Sequence, residues 1–203
     1  MRLILVRHGE TLWNRENRVL GHTEIELTEK GRKQAERLAL ALKDEKVTAI
    51  YSSPLRRARE TADAIARVHH LAVVTDDALK ELDAGDLDGL TFDQVMEHYG
   101  DFLKQWLEDI PSLRMPGGES LAELRERAWG AVERIANHHP DGVVILVSHS
   151  FAIMSIISRA LGMSLSNFRR LRLSVASISI LNFGQRGISL LQFNDTCHLQ
   201  GID

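Results

Sequence analysis

Short, uninterrupted apolar runs alternate with amphipathic helical stretches along this chain, and that alternation limits its fold more than any other feature. Leu3-Ile4-Leu5-Val6 and Val143-Val144-Ile145-Leu146-Val147 are too short for helices and too uniformly apolar for half-exposed strands. They read as strands covered on both faces. Val47 to Tyr51 and Leu71 to Thr75 are further strand candidates. Thr28 to Lys43 reads as a helix with Thr28 as N-cap and Ala35, Leu38, Ala39 and Leu42 on one face. A second helix follows Tyr51, with Ser53 as N-cap, Pro54 at its first position and Ala58, Ala62 and Ile65 inward. The Val143–Val147 run passes through Ser148-His149 into a helix carrying Met154, Ile157 and Leu161. Such alternation predicts an α/β fold, three-layer α/β/α, around a mainly parallel sheet.

The rhythm changes twice. From about 90 to 138 only helical signals occur, opened by two capping boxes, Thr91-x-x-Gln94 and Ser120-x-x-Glu123. This stretch reads as a helical insertion over the active site, with Pro111 to Gly118 joining its helices. Near the C-terminus, Val175–Phe183 and Ile188–Phe193 flank Gly184-Gln185-Arg186-Gly187 and predict an antiparallel hairpin. No linker or repeat divides the 203 residues, so the expectation is one domain over 1–203.

Composition removes several classes of function. Lysine and arginine total 25 against 28 aspartates and glutamates, a net charge of −3, which is no footprint for nucleic-acid binding. No apolar stretch approaches the length of a membrane span. One cysteine, Cys197, excludes an internal disulfide and points to a reducing, cytoplasmic setting, with Cys197 itself as a small packing residue.

Ligands of open α/β sheets bind beyond the carboxyl ends of the strands. His8 follows the first strand and His149 follows the Val143–Val147 strand, where the next helix turns its amino end to the same crevice. Arg7 adjoins His8, and Arg57 lies early in the helix after Tyr51. Two imidazoles and two guanidiniums converging on one crevice describe a phosphate pocket. The bland readings weigh more elsewhere. Arg56, Arg59 and Arg169-Arg170-x-Arg172 read as solvated charges, His69-His70 and His138-His139 as helix-end cations, and Trp106 as core.

Arg7-His8-Gly9-Glu10-Thr11, with Trp13-Asn14 beyond it, resembles the signature of the histidine phosphatase superfamily, the phosphoglycerate-mutase-like proteins. The resemblance continues through Leu27-Thr28-Glu29-x-Gly31-x-x-Gln34-Ala35 and Ser52-Ser53-x-Leu55-x-Arg57-Ala58-x-x-Thr61-Ala62. Glu81-x-x-x-Gly85-x-x-x-Gly89, Gly117-Gly118-Glu119-Ser120 and Val147-Ser148-His149 complete an ordered set across almost the whole chain. It implies His8 as a transiently phosphorylated nucleophile, with Arg7, Arg57 and His149 on the phosphoryl oxygens. Asn14 would add a hydrogen bond, and Glu81 would be the proton donor, with Asp83 and Asp86 as rival carboxylates. Gly21, Thr23 and Ser150 are further candidates for substrate contact, and Asn14 and Gly21, in a polar loop, have turn roles as the competing explanation.

The resemblance calls for no metal and no cofactor, and no metal motif occurs. Two departures from the commoner pattern bear on the substrate pocket: Glu24 where aspartate is usual, and Ser150-Phe151 where glycines often follow the second histidine. The short stretch between Glu81 and Glu119 resembles phosphatases rather than mutases, close to α-ribazole-phosphate and broad-specificity phosphatases. The expected partner is a small phosphorylated metabolite, and the family resemblance also admits a homodimer. A cofactor-dependent phosphoglycerate mutase and a non-catalytic phospho-ligand binder are the alternatives. Phe92, Met96, Tyr99, Trp106 and Met115 are the candidates to line the leaving-group pocket.

Overall fold

The computed structural model describes residues 1–202. Six strands form one sheet: β1 (Arg2–Arg7), β2 (Val47–Ser52), β3 (Val73–Thr75), β4 (Val143–Ser148), β5 (Ile178–Gly184) and β6 (Gly187–Asp195). Their order is β3-β2-β4-β1-β5-β6. The pairs β1–β4, β2–β4 and β2–β3 are parallel, and β1–β5 and β5–β6 are antiparallel. The helices are α1 (Leu12–Arg15), α2 (Glu29–Leu42), α3 (Arg56–His69), α4 (Phe92–Glu108), α5 (Leu121–His138) and α6 (Ser150–Ala160).

Side-chain alternation along the central strands explains the three layers. Leu3, Leu5, Val144 and Leu146 point to one face and pack with Leu124, Ala128 and Val132 of α5 and Ile153 and Ile157 of α6. Ile4, Val6, Ile145 and Val147 point to the other and meet Leu38 and Leu42 of α2 and Ala58, Ala62 and Ile65 of α3. Every strand residue just named is at most 1 % exposed, which is why these runs show no polar alternation. Each such side chain contributes about 1.5–3 kcal/mol by leaving water.

One register positions the chemistry. β1 and β4 pair in parallel with Arg7 opposite Ser148, so His8 and His149, one residue further along each, emerge side by side. The His8 amide donates to the Ser148 carbonyl at 3.0 Å and extends the ladder into the site.

Several elements differ from the sequence reading, each for a tertiary reason. Helix α3 starts at Arg56 with Leu55 as N-cap, and the Ser53 hydroxyl accepts from His149 and, at 3.3 Å, from the Leu55 amide. β3 begins at Val73: His70 adopts a left-handed conformation and the Leu71 amide closes α3 onto the Ala66 carbonyl. Residues Val175 to Ser177 are lost from β5, since the Ala176 amide donates to the His8 carbonyl and the Ser177 carbonyl accepts from Arg7. The helical stretch of 90–138 divides: α5 is a full member of one face layer, and α4 alone stands over the cavity described below. Cys197 is exposed, held by an Asp195 carboxylate that accepts from its amide, and packs into no core. Both capping boxes and the hairpin form as the sequence predicts.

Candidate active site

The loop that leaves β1 is fixed atom by atom. Gly9 N donates to Thr61 Oγ1 at 3.1 Å, Glu10 N to Gln34 Oε1 at 2.8 Å, and Thr28 Oγ1 to Glu10 Oε1 at 2.9 Å. His8 Nδ1 lies 2.7 Å from the Gly9 carbonyl oxygen. A carbonyl can only accept, so Nδ1 carries the proton and Nε2 of the neutral ring keeps its lone pair. Burial, and then the charges of Arg57 and Arg7, hold the His8 imidazole well below its ordinary pKa.

Arg57 is fully buried in the first turn of α3. Its Nε donates to His149 Nδ1 at 3.2 Å, Nη1 to the Thr23 carbonyl at 3.0 Å and Nη2 to the Gly21 carbonyl at 2.6 Å. Asp88 holds that loop by accepting from the Gly21 and Thr23 amides at 2.7 and 2.9 Å. Gly21 and Thr23 thus present carbonyl oxygens to Arg57 and do not line the cavity. Burial lowers the Arg57 pKa to about 10, which leaves it cationic at neutral pH. Arg7 is also lowered by burial, with Glu81 opposing, and it donates to the Leu173 carbonyl while its Nε has no protein partner.

With Nδ1 occupied by Arg57, His149 carries its proton on Nε2 and donates to Ser53 Oγ at 2.8 Å. Its ring centroid is 5.1 Å from that of His8. Burial, then Arg57 and His8, keep it neutral as well. The role of Ser53 was hidden in the sequence by its equally good fit as a helix cap.

Glu81 enters from the opposite wall and is 6 % exposed. Its Oε1 accepts from the Leu82 and Ala152 amides at 2.9 and 3.2 Å, and its Oε2 from Phe151 at 3.1 Å. Burial raises its pKa against the pull of those amides and of Arg57 and Arg7. Its own carbonyl accepts from Arg127 Nη2 at 2.7 Å and lies 2.8 Å from His22 Nε2. Arg127 also donates to the Ala78 and Lys80 carbonyls and pairs with Glu119, whose Oε1 accepts from the Asp83 amide at 2.9 Å. Sequence reasoning gave Arg127 no role. Asp83, the nearest rival carboxylate, caps Gly85 at 3.1 Å instead.

Arg7, Asn14, Glu81 and Ser150 share the wall of one cavity of about 370 Å³. Asn14 Oδ1 accepts from the Thr11 amide at 3.0 Å, so its amide nitrogen is the group left to donate. Phe92, Trp106 and Met115 line the cavity as expected; Met96 and Tyr99 do not, and Val95, Phe102 and Leu103 take their place. Tyr99 departs from helical geometry (φ −129°, ψ 21°), and the lining residues of α4 keep helical spacing on either side of it. Glu24 accepts from the Arg56 amide at 2.8 Å, tying the loop to the start of α3.

The sequence model of the histidine phosphatase superfamily (branch 1) matches residues 3–196. The chain belongs to that superfamily. It is 37% identical over 199 residues to phosphoserine phosphatase 1 of Hydrogenobacter thermophilus, covering 98% of this chain and 94% of that one. It is 38% identical over 185 residues to probable phosphoglycerate mutase GpmB of Cronobacter sakazakii, covering 91% and 86%. The α-ribazole phosphatase of Shigella flexneri shares the fold with a TM-score of 0.88 at 26% identity, over 96% of both chains. Membership makes this chain a phosphomonoesterase of the histidine phosphatase type, and the differing names of these relatives leave its substrate open.

Proposed function

We propose that the protein hydrolyses the phosphomonoester of a small metabolite without a metal, through a phosphohistidine on His8 and with Glu81 as general acid and base. The observation that carries this reading is the tautomer of His8. With Nδ1–H spent on the Gly9 carbonyl and its pKa depressed, Nε2 is an unprotonated nucleophile among Arg7, Arg57 and His149. The Nε2 lone pair forms the N–P bond as the P–O bond to the alcohol breaks, and Glu81 protonates the departing oxygen. Its burial-raised pKa suits it to hold that proton. Water then attacks phosphorus while giving a proton to the Glu81 carboxylate, the N–P bond breaks, and its electron pair returns to Nε2. The guanidiniums stabilise the charge spread over the equatorial oxygens, the service a metal renders elsewhere.

For the substrate we propose α-ribazole 5′-phosphate, supported by the fold shared with the Shigella enzyme and by an apolar cavity able to take its base. The mutase reading has the likeness to GpmB in its favour and predicts that 2- and 3-phosphoglycerate interconvert faster than either releases phosphate. The test is phosphate release, in chelator, from α-ribazole 5′-phosphate, phosphoserine and both phosphoglycerates, beside His8→Ala. Release that depends on His8, with acid-stopped reactions yielding phosphohistidine in the wild type, is expected. No release from any monoester, or equal release by the variant, would sink the hydrolase.

A further inference from the structure

The cavity wall is mostly apolar, and its polar residues are Arg7, Asn14, Asn17, Arg18, Glu81 and Ser150. Arg7, Asn14, Glu81 and Ser150 gather where the phosphoryl group would sit; beyond them the wall is carried by Phe92, Val95, Phe102, Leu103, Trp106 and Met115. One further cation lies in the wall, Arg18, and it is engaged: Nε with Glu16 at 2.6 Å and Nη1 with the Gly89 carbonyl at 3.0 Å. A carboxylate or ammonium on the leaving alcohol would therefore lose water against a mostly apolar wall, where Arg18, the one further cation, is already paired with Glu16.

We propose that this cavity takes an uncharged leaving group by an apolar portion of it, as the base of α-ribazole would be taken, so the enzyme prefers monoesters of uncharged alcohols with an aliphatic or aromatic body to those of charged hydroxy acids. The preference rests on the hydrolase reading, and it cuts across the relatives named for phosphoserine and phosphoglycerate. The volume, about 370 Å³, lies at the small end of sites that enclose whole ligands, at roughly 300–1,000 Å³. Helix α4 supplies five of the six apolar residues named above, Met115 being the exception. Specificity is thus written largely on helix α4.

Binding and turnover separate the two readings. Calorimetry with methyl-, butyl- and hexylphosphonate, which cannot be hydrolysed at a P–O ester bond, reads the cavity alone. The dissociation constant should fall about fourfold per methylene until the space is filled. The kcat/KM values of the matching alkyl phosphates should rise in step and exceed those of phosphoserine and 3-phosphoglycerate. Phe92→Ser, at a position 62 % exposed and so tolerant of change, should shrink the gain per methylene. Leu103→Lys should flatten the series and raise the relative rate on 3-phosphoglycerate. A dissociation constant independent of chain length, or tighter use of phosphoserine or phosphoglycerate, overturns the proposal, including the case in which Arg18 swings in to meet the carboxylate. If no alkyl phosphate is hydrolysed while the phosphonates still tighten with length, the hydrolase reading fails and the apolar site stands.

Discussion

His8 and Glu81 are pushed in opposite directions by the same cause. Burial disfavours the charged form of each, which lowers an imidazole and raises a carboxyl. The proposed mechanism needs His8 deprotonated and Glu81 protonated, so the two shifts widen the pH range in which both conditions hold. The kcat/KM profile should keep its acid limb below the ordinary imidazole range and its alkaline limb above the ordinary carboxylate range. Glu81→Gln keeps the shape and removes the proton: alkyl phosphates should slow by about 10²–10⁴-fold. A monoester of an acidic phenol, whose leaving group needs no proton, should lose far less. Equal losses on both esters would show that Glu81 does not protonate the leaving group. His8, Arg7 and His149 were legible in the sequence because strand ends advertise themselves. Ser53 and Arg127 were not, since a serine before a helix and an arginine within one have ordinary explanations.

Two elements of the fold exist to hold a neighbour. The amino end of α2 carries Thr28, Gly31 and Gln34 against the Gly9-Glu10 backbone, which explains why that run accompanies the histidine signature. A β-carbon on Gly31 would overlap the Glu10 carbonyl oxygen. Gly31→Ala should cost about 1–3 kcal/mol in a denaturant titration and lower kcat more than it changes KM; unchanged kcat would separate that contact from catalysis. The second element is the start of α5, whose Arg127 gathers the Ala78, Lys80 and Glu81 carbonyls while Glu119 holds the Asp83 amide. Arg127 does not line the cavity, and on the proposed mechanism it is a positioning residue for Glu81. Arg127→Ala should reduce kcat by about 10²-fold and move the alkaline limb that reports Glu81, with partial recovery in Arg127→Lys. A fall in stability with an unmoved limb would make the pair a structural brace only. Helix boundaries and caps at α2, α4 and α5 were readable from local sequence. Val175–Ser177 was not, because Ala176 and Ser177 are taken by His8 and Arg7 from 168 and 170 positions away in the chain.

The layered sheet follows from local patterns, yet the cost of building a site into it falls on the stability of the entire chain. His8 and His149 are neutral when folded and titrate near 6.5 when unfolded. Below that value the unfolded chain binds more protons, so the contribution of these two groups is present above pH 6.5 and is lost as pH falls through their folded values. His69 and His198 are lowered by partial burial and act in the same sense. Glu81 acts in the opposite sense: raised on folding, its contribution is present below the ordinary carboxylate value and lost as pH rises through the folded one. Between pH 7 and 5 two buried imidazoles act in one sense and one carboxyl in the other. Urea unfolding should therefore give a free energy that declines on acidification across that interval. The double variant His8→Asn, His149→Gln keeps His69 and His198 and should show a shallower decline. A wild-type curve flat from pH 7 to 5, or a double variant with the wild-type slope, would mean that the two imidazoles enter the fold without a proton penalty. In that case their neutrality, on which nucleophilic attack by His8 depends, would need another source.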